Sequence, residues 1–186
     1  MSEEFLLSRV ILTEDECNTI KTFILTNEDK VKSLGPDTYS GTSSDSLTGR
    51  FMCFNFLNTD EVGSILIPKL KNIFEELELE YPISVQCWAN TFREGEGISV
   101  HKHGPMDKSF MCANLFIDGP TKPGTTYYLN GQFVDFENEV GEIHVFGSNL
   151  YHYVSDNKSD DIRISLALDI LPKVNDNDTV RHYVFE

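Results

Sequence analysis

From residue 81 onward the chain alternates apolar and polar positions in short runs. I-S-V-Q-C-W-A-N-T-F (83–92), I-S-V-H-K-H (98–103), S-F-M-C-A-N-L-F-I (109–117) and T-T-Y-Y-L (125–129) each read as a strand. So do G-Q-F-V-D-F (131–136), G-E-I-H-V-F (141–146), Y-H-Y-V-S (151–155) and I-R-I-S-L-A-L-D-I (162–170). Gly, Pro, Asn or Asp separates them. Gaps this short leave no room for crossover helices, so the pattern predicts an antiparallel sandwich or barrel rather than a parallel α/β sheet.

The first 80 residues have a different period. Thr13 followed by Glu14, Asp15 and Glu16 forms a capping-box pattern with acids in the first turn. Cys17, Ile20, Phe23 and Ile24 then fall near one face, which predicts a helix to about residue 26. Residues 32–50 are rich in Gly, Ser, Thr and Asp and read as a long loop, with Asp37 and Asp45 on a candidate lid or recognition rim. Val62, Ile65, Leu66, Leu70, Ile73, Phe74 and Leu77 make an apolar stripe, predicting a second helix from 58–60 to 79. Pro68 is expected to bend it or split it in two, because proline lacks the amide hydrogen.

Composition narrows the partners. A chain of 186 residues is ample for one hydrophobic core. Its 15 Lys plus Arg against 30 Asp plus Glu leave a formal charge of -15, which disfavours nucleic acid or an anionic membrane as the main partner. Cys17, Cys53, Cys87 and Cys112 show no C-x-x-C spacing, and apolar flanks make them small core residues. The N-terminus is acidic where a signal peptide is basic, and no long apolar run follows. A soluble cytoplasmic protein, monomer or dimer, is the expectation.

The candidate chemistry lies in the strand region. His101 and His103 are two residues apart, so one strand face can hold both while Lys102 points away. His152, between Tyr151 and Tyr153, can join them from a distant strand, and imidazole nitrogens suit divalent iron. Arg163 and Ser165 also share a strand face. A guanidinium in an inward row is costly unless it meets an anion, so the pair reads as a clamp on one end of a small acid. The other end of that acid would reach the metal through the carbonyl and carboxylate of an α-keto acid. Asn90 and Asn114 sit between apolar residues and need partners. His144 in G-E-I-H-V-F reads first as a structural residue.

These residues, in this order, resemble the iron(II) and 2-oxoglutarate dependent oxygenase superfamily, whose double-stranded β-helix carries H-x-D or H-x-E, a distal His and R-x-S. The likeness covers about residues 85–169. The series W-A-N-T-F-x-x-G, H-K-H, Y-Y-L, G-x-I-x-V-F and S-x-L-x-H is similar to a small branch that includes phage and marine bacterial proteins. The resemblance implies a mainly β jelly roll, cupin-like, with two N-terminal helices packed outside. Residues 1–186 would form a single oxygenase domain: helical support and loop in 1–80, jelly-roll core in 81–171 and a C-terminal extension in 172–186.

It also implies that His101 and His152 bind iron, and that Arg163 and Ser165 hold 2-oxoglutarate, with Tyr127 or Tyr128, Asn90 and Asn114 as further contacts. The departure is His103, which stands where most members have Asp or Glu. Either His103 is the second ligand, or Asp107 or Glu96 folds in to supply a carboxylate. Fe(II), 2-oxoglutarate and O₂ are the implied cofactors and co-substrates. The implied reaction is hydroxylation of an unactivated C–H bond on an amino acid, a protein side chain or a small metabolite. Two other readings stay open: a three-histidine cupin-type dioxygenase needing no keto acid, and a metal-free sugar- or peptide-binding β-sandwich.

Overall fold

The structure is a computed structural model that describes residues 5–35, 46–103, 111–172 and 180–186. Strand β1 (Phe5–Val10) precedes helix α1 (Glu14–Ser33) and helix α2 (Asp60–Glu76). The strands β2 (Ile83–Phe92), β3 (Ile98–His101), β4 (Met111–Asp118), β5 (Thr125–Leu129) and β6 (Gln132–Phe136) follow. β7 (Glu142–Gly147), β8 (His152–Val154), β9 (Arg163–Pro172) and β10 (Tyr183–Phe185) complete the chain order. They form two antiparallel sheets, β1-β7-β4-β9-β2-β10 and β3-β8-β5-β6, a double-stranded β-helix with two helices against it. Neither described helix is long and apolar enough to cross a membrane.

Register explains how one sheet serves both core and site. Residues paired across a ladder share a face. Leu166, Leu168 and Ile170 of β9 therefore point with Val85, Cys87, Ala89 and Leu115 toward the helices. There they pack on Cys17, Ile20 and Ile24 of α1 and on Leu66, Leu70 and Ile73 of α2. The opposite parity puts Ser165, Ala167 and Asp169 on the inner face with Trp88, Asn90, Cys112 and Asn114. The smaller sheet closes over that face. The β5–β6 hairpin turns on Asn130-Gly131, both at positive φ (51° and 84°), as a two-residue turn between right-twisted strands requires.

Several elements run differently from the sequence pattern. The capping box forms at Thr13 and Glu16, yet α1 runs on to Ser33. Its buried stripe continues through Glu28 and Val31, and a carboxylate inside that stripe hides the period. Pro68 sits within α2, which continues through it as one helix, the unsplit one of the two forms expected. The segment 46–52 is not open loop: Ser46 to Arg50 are buried, and Thr48–Met52 makes a 3-10 turn. β1 and β10 add edge strands to the larger sheet from segments the alternation does not mark. Asp37, Asp45 and Asp107 lie outside the described residues.

Candidate metal centre

His101 and His152 are direct partners in the β3–β8 ladder, so their rings leave the smaller sheet on one side, 4.3 Å apart between centroids. His103 follows β3, tied by its backbone N–H to the Ser148 carbonyl at 3.1 Å. Its ring lies 5.3 Å from that of His101 and 5.1 Å from that of His152. One ligand atom from each of the three lies within 4.8 Å of the others. Donors about 2.1 Å from a common ion can be at most about 4.2 Å apart, so small ring rotations seat all three.

The hydrogen bonds fix which nitrogen can ligate. His101 Nδ1 meets the Ser99 carbonyl at 2.8 Å, and His152 Nδ1 meets the Leu150 carbonyl at 2.9 Å. His103 Nδ1 meets Asp169 Oδ1 at 2.6 Å. Each partner is an acceptor, so each Nδ1 carries the proton and the lone pair falls on Nε2. Burial, then the neighbouring His103, pushes the His101 pKa down to about 4. Burial, with His101 and His103 alongside, holds His152 well below the ordinary histidine value. Both rings are neutral at pH 7, the form that binds a metal. The donor set fits a divalent transition metal.

The rings open into a cavity of about 320 Å³, within the usual range for a small-molecule site. Thr48, Phe51, Trp88, Ile98, Phe146 and Val154 contribute to its wall. Trp88 stacks on His103 at 5.6 Å and meets Phe51 at a tilt, also at 5.6 Å. Along β9 the inner row runs Asp169, Ala167, Ser165, Arg163. At about 3.4 Å per residue, Ser165 lies about 14 Å along β9 from Asp169.

The Ser165 end is polar. Asn90 Nδ2 donates to Ser165 Oγ at 3.5 Å, and Asn90 Oδ1 accepts from Thr48 Oγ1 at 2.6 Å. Asn114 Nδ2 donates to Thr125 Oγ1 at 3.2 Å. Arg163 stands one layer behind, fully buried and outside the cavity wall. It donates to Ser165 Oγ (3.3 Å), Thr125 Oγ1 (3.1 Å) and Asn138 Oδ1 (3.4 Å), and its guanidinium lies over the Phe116 ring. All three acceptors are neutral, Nε is unpaired, and among the described residues no carboxylate pairs with Arg163. Burial lowers its pKa to about 10, so the charge persists at pH 7.

The two tyrosines separate by strand parity. Tyr127 is buried, with its hydroxyl 3.0 Å from His144 Nδ1 and its ring stacked on His152. His144 Nε2 lies 3.3 Å from Glu142, so a polar chain joins the two sheets behind the metal centre. Tyr128 faces outward against Phe133 and does not reach the cavity, correcting its candidacy as a co-substrate contact. Glu96 is also away from the rings: its carboxylate accepts from the Arg93 backbone N–H at 2.7 Å within the turn after β2. The carboxylate that does adjoin a metal-site histidine is Asp169, which the motif reading passes over. Its signal was its place in the same alternating row as Arg163 and Ser165. Thr48 and Phe51 carried no such signal, since only the fold brings the turn at 48–52 to the cavity.

No family model matches the chain, and no curated protein matches it in sequence. Solved structures match its fold over most of its length. A prolyl-4-hydroxylase from Pseudomonas putida aligns with a TM-score of 0.67 at 16% identity, over 90% of this chain and 92% of that one. The fold is that of the iron and 2-oxoglutarate oxygenases. A non-heme monooxygenase, ThoJ, in its nickel complex gives 0.66 at 16% identity, covering 91% of this chain and 74% of its own. The viral collagen prolyl hydroxylase of Paramecium Bursaria Chlorella virus-1, in its 2-oxoglutarate complex, gives 0.61 at 11%, covering 89% and 96%. This oxygenase fold thus comes with a histidine-rich candidate metal site.

Proposed function

We propose that the protein is an Fe(II)- and 2-oxoglutarate-dependent hydroxylase using His101, His103 and His152 as its metal ligands. One observation carries the reading: three imidazoles presenting Nε2 on the smaller sheet face the strand of the larger sheet that carries a buried guanidinium with, among the described residues, no acid of its own. Fe(II) bound with 2-oxoglutarate would supply O₂ activation and hydroxylation of an unactivated C–H bond. The chain's part is to place the reactants. Ser99, Leu150 and Asp169 hold the three rings in their ligating tautomer. Ser165 and Thr125 offer hydroxyls to the far carboxylate of the co-substrate, and Arg163 behind them supplies the countercharge. Asn90 and Asn114 brace those hydroxyls, while Phe51, Trp88, Phe146 and Val154 keep water from the rings.

A polypeptide side chain is the first substrate to try, since similarly folded proteins include prolyl hydroxylases, with a free amino acid or small metabolite next. The charge of -15 disfavours nucleic acid and anionic membranes as partners, and the protein is taken to work in the cytoplasm as a monomer or dimer. Anaerobic addition of Fe(II) and then 2-oxoglutarate should produce a weak visible charge-transfer band, and admission of O₂ should yield succinate. Iron binding without that band or succinate would favour the three-histidine dioxygenase that needs no keto acid. Absence of iron binding would leave a metal-free β-sandwich.

A further inference from the structure

We infer that Asp169 is the positioning residue of this metal centre, supplying through His103 the negative charge that a ligating carboxylate would otherwise provide. The inference rests on the three-histidine reading above. Three neutral imidazoles cancel none of a divalent ion's charge, and the cavity around them is largely apolar. Among the described residues the tautomer-setting Nδ1 acceptors differ: backbone carbonyls serve His101 and His152, whereas a carboxylate serves His103. At 2.6 Å this is a short charge-assisted contact. A carboxylate hydrogen-bonded to Nδ1–H makes Nε2 a stronger donor and fixes the ring's direction.

The carboxylate is itself held in place. Cys112 Sγ donates to the same Oδ1 at 3.2 Å, and Cys112 is Asp169's direct partner across the β4–β9 ladder. The Asp169 side chain is 16% exposed and that of His103 8%, so solvent screens the pair little. Asp169 groups with His103 and Cys112, whereas the histidine cluster consists of His101, His103 and His152. Because its Oδ1 is engaged by His103 Nδ1, on the side of the ring away from Nε2, Asp169 stands behind His103 instead of serving as a fourth ligand of the three-histidine site. The place where the sequence departs from H-x-D is thus the place where the fold supplies an acid from another strand.

The test measures Co(II) affinity of the metal-free protein anaerobically at pH 7.5, by calorimetry and by the cobalt visible spectrum, for wild type, D169N, H103D and H103D/D169N. Asn keeps the shape and a neutral acceptor, so D169N should melt like wild type without metal, bind Co(II) about 10–100-fold more weakly and shift the cobalt bands. In the H103D background a carboxylate is already at the ligand position, so D169N should cost less than about threefold there. D169S, a second way to remove the charge, should reproduce the loss if D169N fails to fold. Wild-type affinity in a folded D169N or D169S overturns the inference. An equal loss in both backgrounds also overturns it, because Asp169 would then act on the ion without His103. Failure of wild type itself to bind Co(II) removes the metal reading and this inference with it, an outcome distinct from any difference between variants.

Discussion

Arg163 sits where a charge is costly to the fold. Among the described residues this fully buried guanidinium bonds only to neutral oxygens and is an uncompensated charge. Its lowered pKa has the same meaning: the folded protein disfavours the charged form more than the unfolded chain does. Such a residue persists where an anionic ligand repays the cost. R163M keeps the apolar stem over Phe116 and deletes the charge. The metal-free variant should therefore match or exceed the wild-type melting temperature, while 2-oxoglutarate affinity, read from the charge-transfer band, drops at least about 100-fold. That loss is in keeping with about 3 kcal/mol for a buried charge-assisted contact. A metal-free R163M that loses more than about 2 kcal/mol by urea denaturation would instead mark the guanidinium as structural. S165A should weaken the same ligand by less, since it removes one neutral hydroxyl.

Between elements, α1 is locked to the end of β2 by Glu28. Its carboxylate receives both guanidinium nitrogens of Arg93, at 3.0 and 2.8 Å, the Thr91 hydroxyl at 3.3 Å and Lys32 at 3.1 Å. Burial works against the charge, but Arg93 and Lys32 outweigh it and hold the carboxyl below its ordinary value of 4.5. A depressed pKa gives stability that is present above the unfolded value and lost as pH falls through the folded one. E28Q should thus cost about 1.5–3 kcal/mol at pH 7 by urea denaturation, and the gap to wild type should close as pH drops below 4.5. A gap independent of pH would assign the effect to packing. The same residue shows the reach of sequence reading. Strand parity placed Arg163 and Ser165 on one face, where they meet at 3.3 Å, because a period of two holds all along β9. Each of the eight marked segments overlaps one of β2 to β9 for the same reason. The end of α1 was illegible because a buried Glu breaks an apolar stripe, and no local signal announces that Arg93, 65 residues away, will neutralise it. The link from Asp169 to His103 is equally non-local, 66 residues apart, so motif spacing points to H-K-H but not to the acid behind it.

For the whole molecule, the candidate ligands are divided between the two sheets. The histidines come from β3, the residue pair after it and β8, while Asp169, Ser165 and Arg163 all lie on β9. A metal with a diacid would cross-link the sheets, and a ligand that binds only the folded chain raises its stability by mass action. At about 100 times its dissociation constant the gain is about 2.7 kcal/mol. At about 2–4 °C per kcal/mol for a chain of this size, Co(II) should raise the melting temperature by about 5–10 °C. 2-Oxoglutarate should add to that only when the metal is present. The charge of -15 complicates the readout, because it concentrates any divalent cation near the surface without a specific seat. Two internal controls separate the cases. Trp88 is the single tryptophan, stacked 5.6 Å from His103, so specific Co(II) should quench its fluorescence with the same midpoint as the thermal shift, and Mg(II) at equal concentration should not. H152A removes a ligand from the opposite strand and should abolish both signals, whereas W88F should lose the fluorescence and keep the thermal shift. A shift that survives H152A, or that Mg(II) reproduces, would place the cation on the acidic surface and leave the three imidazoles without a metal.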